Sequence, residues 1–464
     1  MAANKQVLCP LPREADGTVR ADYVASVVEA VGAADVARLH DLVGRLHEAD
    51  VGALLERLDP ADRTKLIELM GADFDFTALV EVDDTVRDEI LEELPVETVA
   101  EGVRELDSDD AVYILEDLPT DERDEILDQL PSTERASLAR GLDFPERSAG
   151  RRMQTEVVAV PSMWTVGQTI DHLRAADDLP DRFYEIYVVD AERRLLGAVA
   201  LDKLLTIKRP VPVVELMDPE RRRVRALEPR DDVARMFERY NLIAAPVVDD
   251  GDRLVGVLTI DDIVDVIEER ADEEIKALGG VKSDEELSDS VWTIARARFN
   301  WLLVNLATAF LAASVLGLFE VQLQQMVALA VLAPIVASQG GNAATQTMTV
   351  AVRALATREL GHANAPRIVL REVLVGLCNG IAFAVIAGLV ASLWFKLADL
   401  GIVIALAMLC NLLAAALGGI LIPLILQRVR ADPAVSSGVF VSTVTDVVGF
   451  FSFLGIATLW FGLK

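Results

Sequence analysis

The stretch Ala434-Val-Ser-Ser-Gly-Val-Phe-Val-Ser-Thr-Val-Thr-Asp-Val-Val-Gly-Phe-Phe-Ser-Phe453 decides how the chain is read. With its continuation to Trp460 it is apolar enough and long enough to cross a bilayer, yet Asp446 sits close to its midpoint. On a helix, Ser442 and Thr443 precede Asp446 by one turn, and Gly449 and Phe450 follow it by one turn, on the same face. A stripe of hydroxyls and a carboxylate suits a water-filled path better than lipid. The nearer hydrophobic segments offer no Lys or Arg at that depth, so the acid reads as a cation site.

Four more segments of this kind precede it, giving spans at about 299–319, 321–352, 368–395, 400–426 and 434–460. With the N-terminus inside, Arg296, Arg298, Arg353, Arg358, Arg367, Arg371, Arg428 and Arg430 face the cytosol, while only Lys396 and Lys464 lie outside. Five spans then put the C-terminus outside. The N-terminus lacks the long apolar core of a signal peptide. The second span is too long for a plain helix. It contains Pro334-Ile-Val-Ala-Ser-Gln-Gly-Gly-Asn342, where Gly340 and Gly341 permit either close packing or a local break, and a break would free carbonyls to line a pore beside Asn342 and Gln346.

Charge separates this part from the rest. The whole chain carries −30, but residues 299–464 hold six acids against eight Lys and Arg. Residues 1–298 therefore hold 68 acids against 36 bases, which argues against nucleic acid or anionic lipid as partners of the soluble part and for cations. Cys9, Cys378 and Cys410 are too few and too scattered for a disulfide framework or a thiolate metal site.

Up to Arg147 the sequence repeats every twelve residues, with starts at Leu58-Asp-Pro, Leu94-Pro-Val, Leu106-Asp-Ser, Leu118-Pro-Thr, Leu130-Pro-Ser and Leu142-Asp-Phe. Each unit has a helix-start residue, acids in the first turn and then apolar residues at helical spacing. Twelve residues leave room for a two-turn helix and a turn, so neighbours must stack, and an all-helical superhelix is expected over residues 1–147. Asp107, Asp109 and Asp110 crowd one turn of it.

From 148 to 270 strands alternate with helices in two matching halves, about 148–212 and 213–270: Tyr184-Glu-Ile-Tyr-Val-Val with Leu196-Gly-Ala-Val-Ala-Leu, and Ala245-Pro-Val-Val with Leu254-Val-Gly-Val-Leu-Thr. This resembles a tandem pair of cystathionine-beta-synthase (CBS) domains, a fold that often binds adenine nucleotides. The resemblance implies an ATP-type site at Gly256, Thr259 and Asp262 of the second half, while Ala200 and Lys203 depart from the pattern in the first. A connector at 271–298 follows, in which Gly279-Gly280 ends one helix and Trp292, Trp301, Arg296 and Arg298 anchor the next at the membrane surface.

The order of these parts, the Pro334–Asn342 segment, Asp432-Pro433-Ala434 and Thr445-Asp446 together resemble the MgtE family of magnesium channels over nearly the whole chain. The resemblance implies a multidomain homodimer with an all-α N-terminal domain, an α/β CBS pair, a plug helix and five membrane helices. It also implies a Mg2+ pathway between two membrane units, closed when cytosolic Mg2+ is high. Asp446 then matches the pore carboxylate, with Gly341 and Asn342 alongside, and Asp432 matches the cytosolic gate. Asp109, Asp262, Asp265, Glu273 and Glu274 match regulatory acids. Arg270, Asn241 and Tyr113 depart from that pattern, which implies that one or two regulatory ions are weaker or missing.

The residues carry the same chemistry. One carboxylate cannot neutralise a divalent ion, whereas two related by a dimer axis can. Mg2+ sheds water reluctantly, so the filter would contact a hydrated ion. No Gly-x4-Gly-Lys-Ser/Thr loop is present, and His362 is the sole His beyond residue 172, so neither a transport ATPase nor an intramembrane enzyme is expected. The alternatives are a transporter of Mn2+ or Co2+, or a membrane-tethered cation sensor without conduction.

Overall fold

A computed structural model describes residues 11–463 except 177, 178, 181, 283, 284, 286–290, 358, 361–363 and 430–432, together with the backbone but not the side chains of 435–437. The chain divides into two compact units, Met1–Glu268 and Glu269–Lys464.

Among the described residues, the first unit begins with nine α-helices: α1 (Ala21–Ala33), α2 (Val36–Leu42), α3 (Glu48–Leu55), α4 (Pro60–Met70), α5 (Asp84–Glu93), α6 (Val96–Val103), α7 (Ser108–Glu116), α8 (Thr120–Gln129) and α9 (Ser132–Asp143). The last five start twelve residues apart, so the sequence repeat is a repeat of helices. None is long enough to be stable alone, and their apolar faces, including Leu54, Leu66, Ile67, Ile90 and Ile114, merge into one buried core. Tyr113 on α7 lies between two guanidiniums, 4.4 Å from that of Arg87 and 4.7 Å from that of Arg152. Its hydroxyl donates to Asp84 at 3.2 Å.

The CBS pair follows as β1 (Ala159–Pro161), α10 (Val166–Ala175), β2 (Glu185–Val189), β3 (Leu195–Ala200) and α11 (Leu201–Thr206), then β4 (Val224–Arg225), α12 (Arg230–Tyr240), β5 (Ala244–Val248), β6 (Leu254–Thr259) and α13 (Ile260–Leu278). Each half is a three-stranded sheet, parallel then antiparallel. The registers match: Glu185 pairs with Ala200 as Ala244 pairs with Thr259, and both antiparallel pairs carry an irregularity at their last step. The two sheets share an apolar seam built from Tyr187, Leu195, Ala198, Ala244, Val248 and Val257. The α13 helix runs without interruption past 270, so the connector starts as its continuation and ends where Gly280, at φ 72°, turns the chain against the Trp301 indole.

The second unit holds α14 (Val291–Gly317), α15 (Glu320–Gln325), α16 (Val327–Ala356), α17 (Ala365–Phe395), α18 (Ala398–Arg428) and α19 (Pro433–Phe461). Five of these are long and apolar enough to span a membrane, with mean hydropathy of 1.4 to 2.5. Of the two uses open to Gly340-Gly341, close packing is the one found, and there is no break. The chain bends instead at Met326, between α15 and α16, and α16 continues helically through both glycines. Small residues set the packing: Gly376, Gly380, Ala384, Gly388 and Ala391 line the α17 face against α18, and a Cβ added at Gly388 would lie 2.8 Å from the Gly401 carbonyl oxygen.

Candidate ion pathway and acidic regulatory site

Two places gather the chemistry expected from sequence, one in each unit. In the membrane unit, α19 sets Asp446 half-buried near its middle, with no hydrogen bond or ion pair among the described residues. The hydroxyls around it bond back to their own helix, Ser442 to the Gly438 carbonyl at 2.8 Å, Thr443 to Val439 at 2.6 Å and Thr445 to Val441 at 3.2 Å. This satisfies them without consuming Asp446. Thr445 is fully buried against α16, where a Cβ added at Gly341 would lie 4.0 Å from its hydroxyl oxygen. That contact brings the Gly341-Asn342 pair beside the carboxylate's turn. Gly449, expected on the open stripe, is instead buried against α18.

Sequence reasoning missed the residue that causes this. Asn411 of α18 is wholly buried, and its Nδ2 donates to the Val336 carbonyl of α16 at 2.7 Å. A Cβ at Gly340 would lie 2.1 Å from that nitrogen and one at Gly449 2.8 Å from it. Gly340 and Gly449 thus exist to admit one amide between three helices, which is why the glycines pack rather than break α16. The available signal was a lone Asn inside the apolar run of α18. On α16, Asn342, Thr345, Gln346 and Thr349 are exposed along one helical face. Asp432 lies outside the described residues.

In the soluble unit, two helix starts meet. Acids favour the first turn of a helix, so α7 opens with Asp109 and Asp110 after Asp107, and α13 opens with Asp261 and Asp262, with Asp265 one turn on. Burial and the neighbouring carboxylates, Asp262 foremost, push Asp109 well above the usual carboxylate range. Burial, with Asp107 and Asp261, raises Asp110 to about 7. Burial, with Asp261 and Asp110, outweighs a hydrogen bond from Thr259 and raises Asp262 to about 7. No group of three acids among the described residues is close enough to hold an ion as it stands. Glu273 and Glu274 lie on the last turns of α13 in the other unit, where Glu274 is already bound by Arg270 at 3.1 Å.

Thr259 donates from Oγ1 to the Asp262 carboxylate at 2.6 Å. A Cβ at Gly256 would lie 2.7 Å from the Gln154 carbonyl oxygen, and a hollow bordered by Thr259, Tyr187 and Glu185 measures about 20 Å³.

Family models described as divalent cation transporter, MgtE intracellular N domain and CBS domain match residues 333–456, 46–147 and 213–269. Among curated relatives, a magnesium transporter MgtE of Enterococcus faecalis is 33% identical over 319 residues, covering 69% of this chain and 70% of the relative. The chain belongs to the MgtE family. The Thermus thermophilus magnesium transporter MgtE is 34% identical over 319 residues, covering 68% of this chain and 70% of that one, and the Bacillus subtilis one is 28% identical over 418 residues, covering 90% and 92%. The soluble part of a magnesium transporter superposes with a TM-score of 0.50 at 26% identity, covering 54% of this chain and 98% of that structure. MgtE membership and five apolar helices make this a multi-pass membrane protein of a transporter family, not of an enzyme class.

Proposed function

We propose that this chain carries Mg2+ down its electrochemical gradient between two copies of itself, with one Asp446 from each copy facing the ion. The observation that supports this best is the exposed polar face of α16, Asn342 to Thr349, in a helix of membrane-spanning length. Lipid would leave those amides unsatisfied, whereas a water-filled path shared with a second copy satisfies them. Asn342 and the Gly341 carbonyl region would orient the ion's water, and paired Asp446 carboxylates would balance its charge. Inward movement of a divalent ion across roughly 100 mV gains about 4.6 kcal/mol, so no other energy source is needed.

The same reading has the protein in the cell membrane with its N-terminus and acidic unit in the cytosol and its C-terminus outside, following the arginine bias. Cytosolic Mg2+ would close the path by bridging Asp109, Asp262 and Asp265, whose mutual repulsion must otherwise be relieved by protons, together with Glu273 and Glu274, and would act near the Asp432 gate. Carboxylates with few fixed ligands bind weakly, on the order of 10⁻⁴ to 10⁻³ M. Arg270 already neutralises Glu274, so the site there should be the weaker one. An adenine nucleotide would bind the second CBS half at Gly256, Thr259 and Asp262, exchanging the Thr259–Asp262 hydrogen bond for its own.

The test is flux into liposomes holding the purified chain, with Mn2+, Co2+ and Ca2+ as competitors. Mg2+-dependent flux that vanishes in Asp446→Ala is expected. Unaltered flux and selectivity in that variant would remove Asp446 from the path.

A further inference from the structure

The α17 helix meets the rest of the membrane unit on its small-residue face. Its other side carries a trough of about 420 Å³ that starts at Arg367 and Arg371 and runs past Leu370, Leu374 and Cys378 to Asn379. These residues recur at three- and four-residue spacing, so they form one stripe of the helix. All are exposed, and neither arginine has a hydrogen bond or ion pair among the described residues, whereas Arg298 of the same unit is bound to Glu285. From Arg367 to Asn379 the stripe covers roughly 18 Å of helix. Half of a hydrocarbon core is about 15 Å. The trough therefore has the length of one leaflet, with charge at its surface end and apolar walls below.

We propose that this trough binds an anionic phospholipid, its phosphate held by the Arg367 and Arg371 guanidiniums and one acyl chain laid along Leu370, Leu374 and Cys378. Guanidinium forks suit phosphate oxygens, and two unpaired arginines one turn apart can hold the same group. The arginine bias assigns this end to the cytosolic leaflet, where anionic lipids concentrate. Inorganic phosphate would use the arginines but not the apolar wall. A second copy of the chain seated symmetrically here would set these arginines against their own counterparts, which like charge disfavours. The site is separate from the Asp446 pathway and does not depend on that reading.

The experiment extracts the full chain from vesicles of equal phosphatidylglycerol and phosphatidylcholine and counts retained lipid by native mass spectrometry, with helical content checked by circular dichroism. Wild type should retain phosphatidylglycerol in preference to phosphatidylcholine. The double variant Arg367→Gln/Arg371→Gln should lose that preference by about thirtyfold, the combined effect of two basic groups at an anionic surface. Leu374→Trp, which fills the trough and leaves both arginines, should lose retained lipid as well. Equal retention in all three proteins overturns the proposal. Displacement of lipid by millimolar inorganic phosphate, with Leu374→Trp behaving as wild type, would make the site a simple anion site and also overturns it. Conversion of dimers to monomers by the double Gln variant with lipid retention intact would assign the face to a second copy instead.

Discussion

Asp109, Asp110 and Asp262, where α7 meets α13, and Asp446 of α19 have no basic partner among the described residues, but for different physical reasons. At the helix junction several acids share a half-buried space in water's reach, so each raises its neighbours and protons or cations must dilute the charge. Asp446 has no partner among the described residues, its nearest hydroxyls are occupied by their own backbone, and in the proposed function the missing charge would come from a second copy or a passing ion. In the function proposed above, the crowd of acids would accumulate cations and change shape as it does, and the solitary one would let cations enter and leave. Sensing and passage would then call for opposite arrangements of the same functional group.

Asp446→Ala should break the comparison most severely. Removing the one mid-membrane counter-charge should lower divalent flux about a hundredfold or more, given roughly 3 kcal/mol for an uncompensated charge at that depth. The purified variant should keep wild-type helical content and mass, and wild-type flux by ion-indicator assay would count against the assignment.

Gly340→Ala and Asn411→Leu probe the support of that carboxylate. An added Cβ at 340 meets the Asn411 amide, so a loss of about 1 to 3 kcal/mol is expected, read as a lower melting temperature of the full chain. If either variant melts like wild type, the amide is not holding the helices together.

The acidic junction should respond to pH in a direction opposite to that of an ion-paired carboxylate. Asp110 and Asp262 bind protons more tightly folded, at about 7, than unfolded, near 3.8. Their contribution is therefore fully present below pH 4 and is lost as pH rises to 7. Without divalent ions, amides of α7 and α13 should have lower protection factors, after correction for intrinsic base-catalysed exchange, at pH 8 than at pH 5, and millimolar Mg2+ should cancel the difference. Asp110→Asn with Asp262→Asn should flatten it. Protection factors that are independent of pH and Mg2+ would show that repulsion at this junction is of no consequence.

The smallest effect is expected from the last turns of α13. Glu273→Gln with Glu274→Gln should shift the Mg2+ concentration that silences flux upward by about tenfold, within the range of weak carboxylate sites. Glu274→Gln alone should do less, because Arg270 already holds that acid. Equal effects from the two single variants would contradict that pairing.

Much of the architecture was legible because periodicity reports burial. Helix starts at 84, 96, 108, 120 and 132 reproduce the twelve-residue repeat, and the five long helices reproduce the apolar segments. What spacing does not report is which use a permissive residue is put to. Gly340 and Gly341 allow both a break and a close approach, and the choice fell to Asn411, some seventy residues away in sequence and invisible to any local window. The end of the second span was likewise misplaced, since a bend at Met326 carries no glycine or proline to announce it. The meeting of α7 with α13 depends on tertiary packing between acids 150 residues apart. Only the family resemblance suggested Asp109 and Asp262 together, and the upward push that burial and neighbouring acids give both carboxyls depends on the fold.

The Asn411 amide, seated between Gly340 and Gly449 and bonded to Val336, has a mechanical consequence. It acts as a key in a slot: one-turn slippage of α16 along α18 would drive a side chain into a space too small for a single methyl group. Shear between these helices is thereby opposed, and in the proposed function any widening near Asp446 would come from α16, α18 and α19 turning together as a single block.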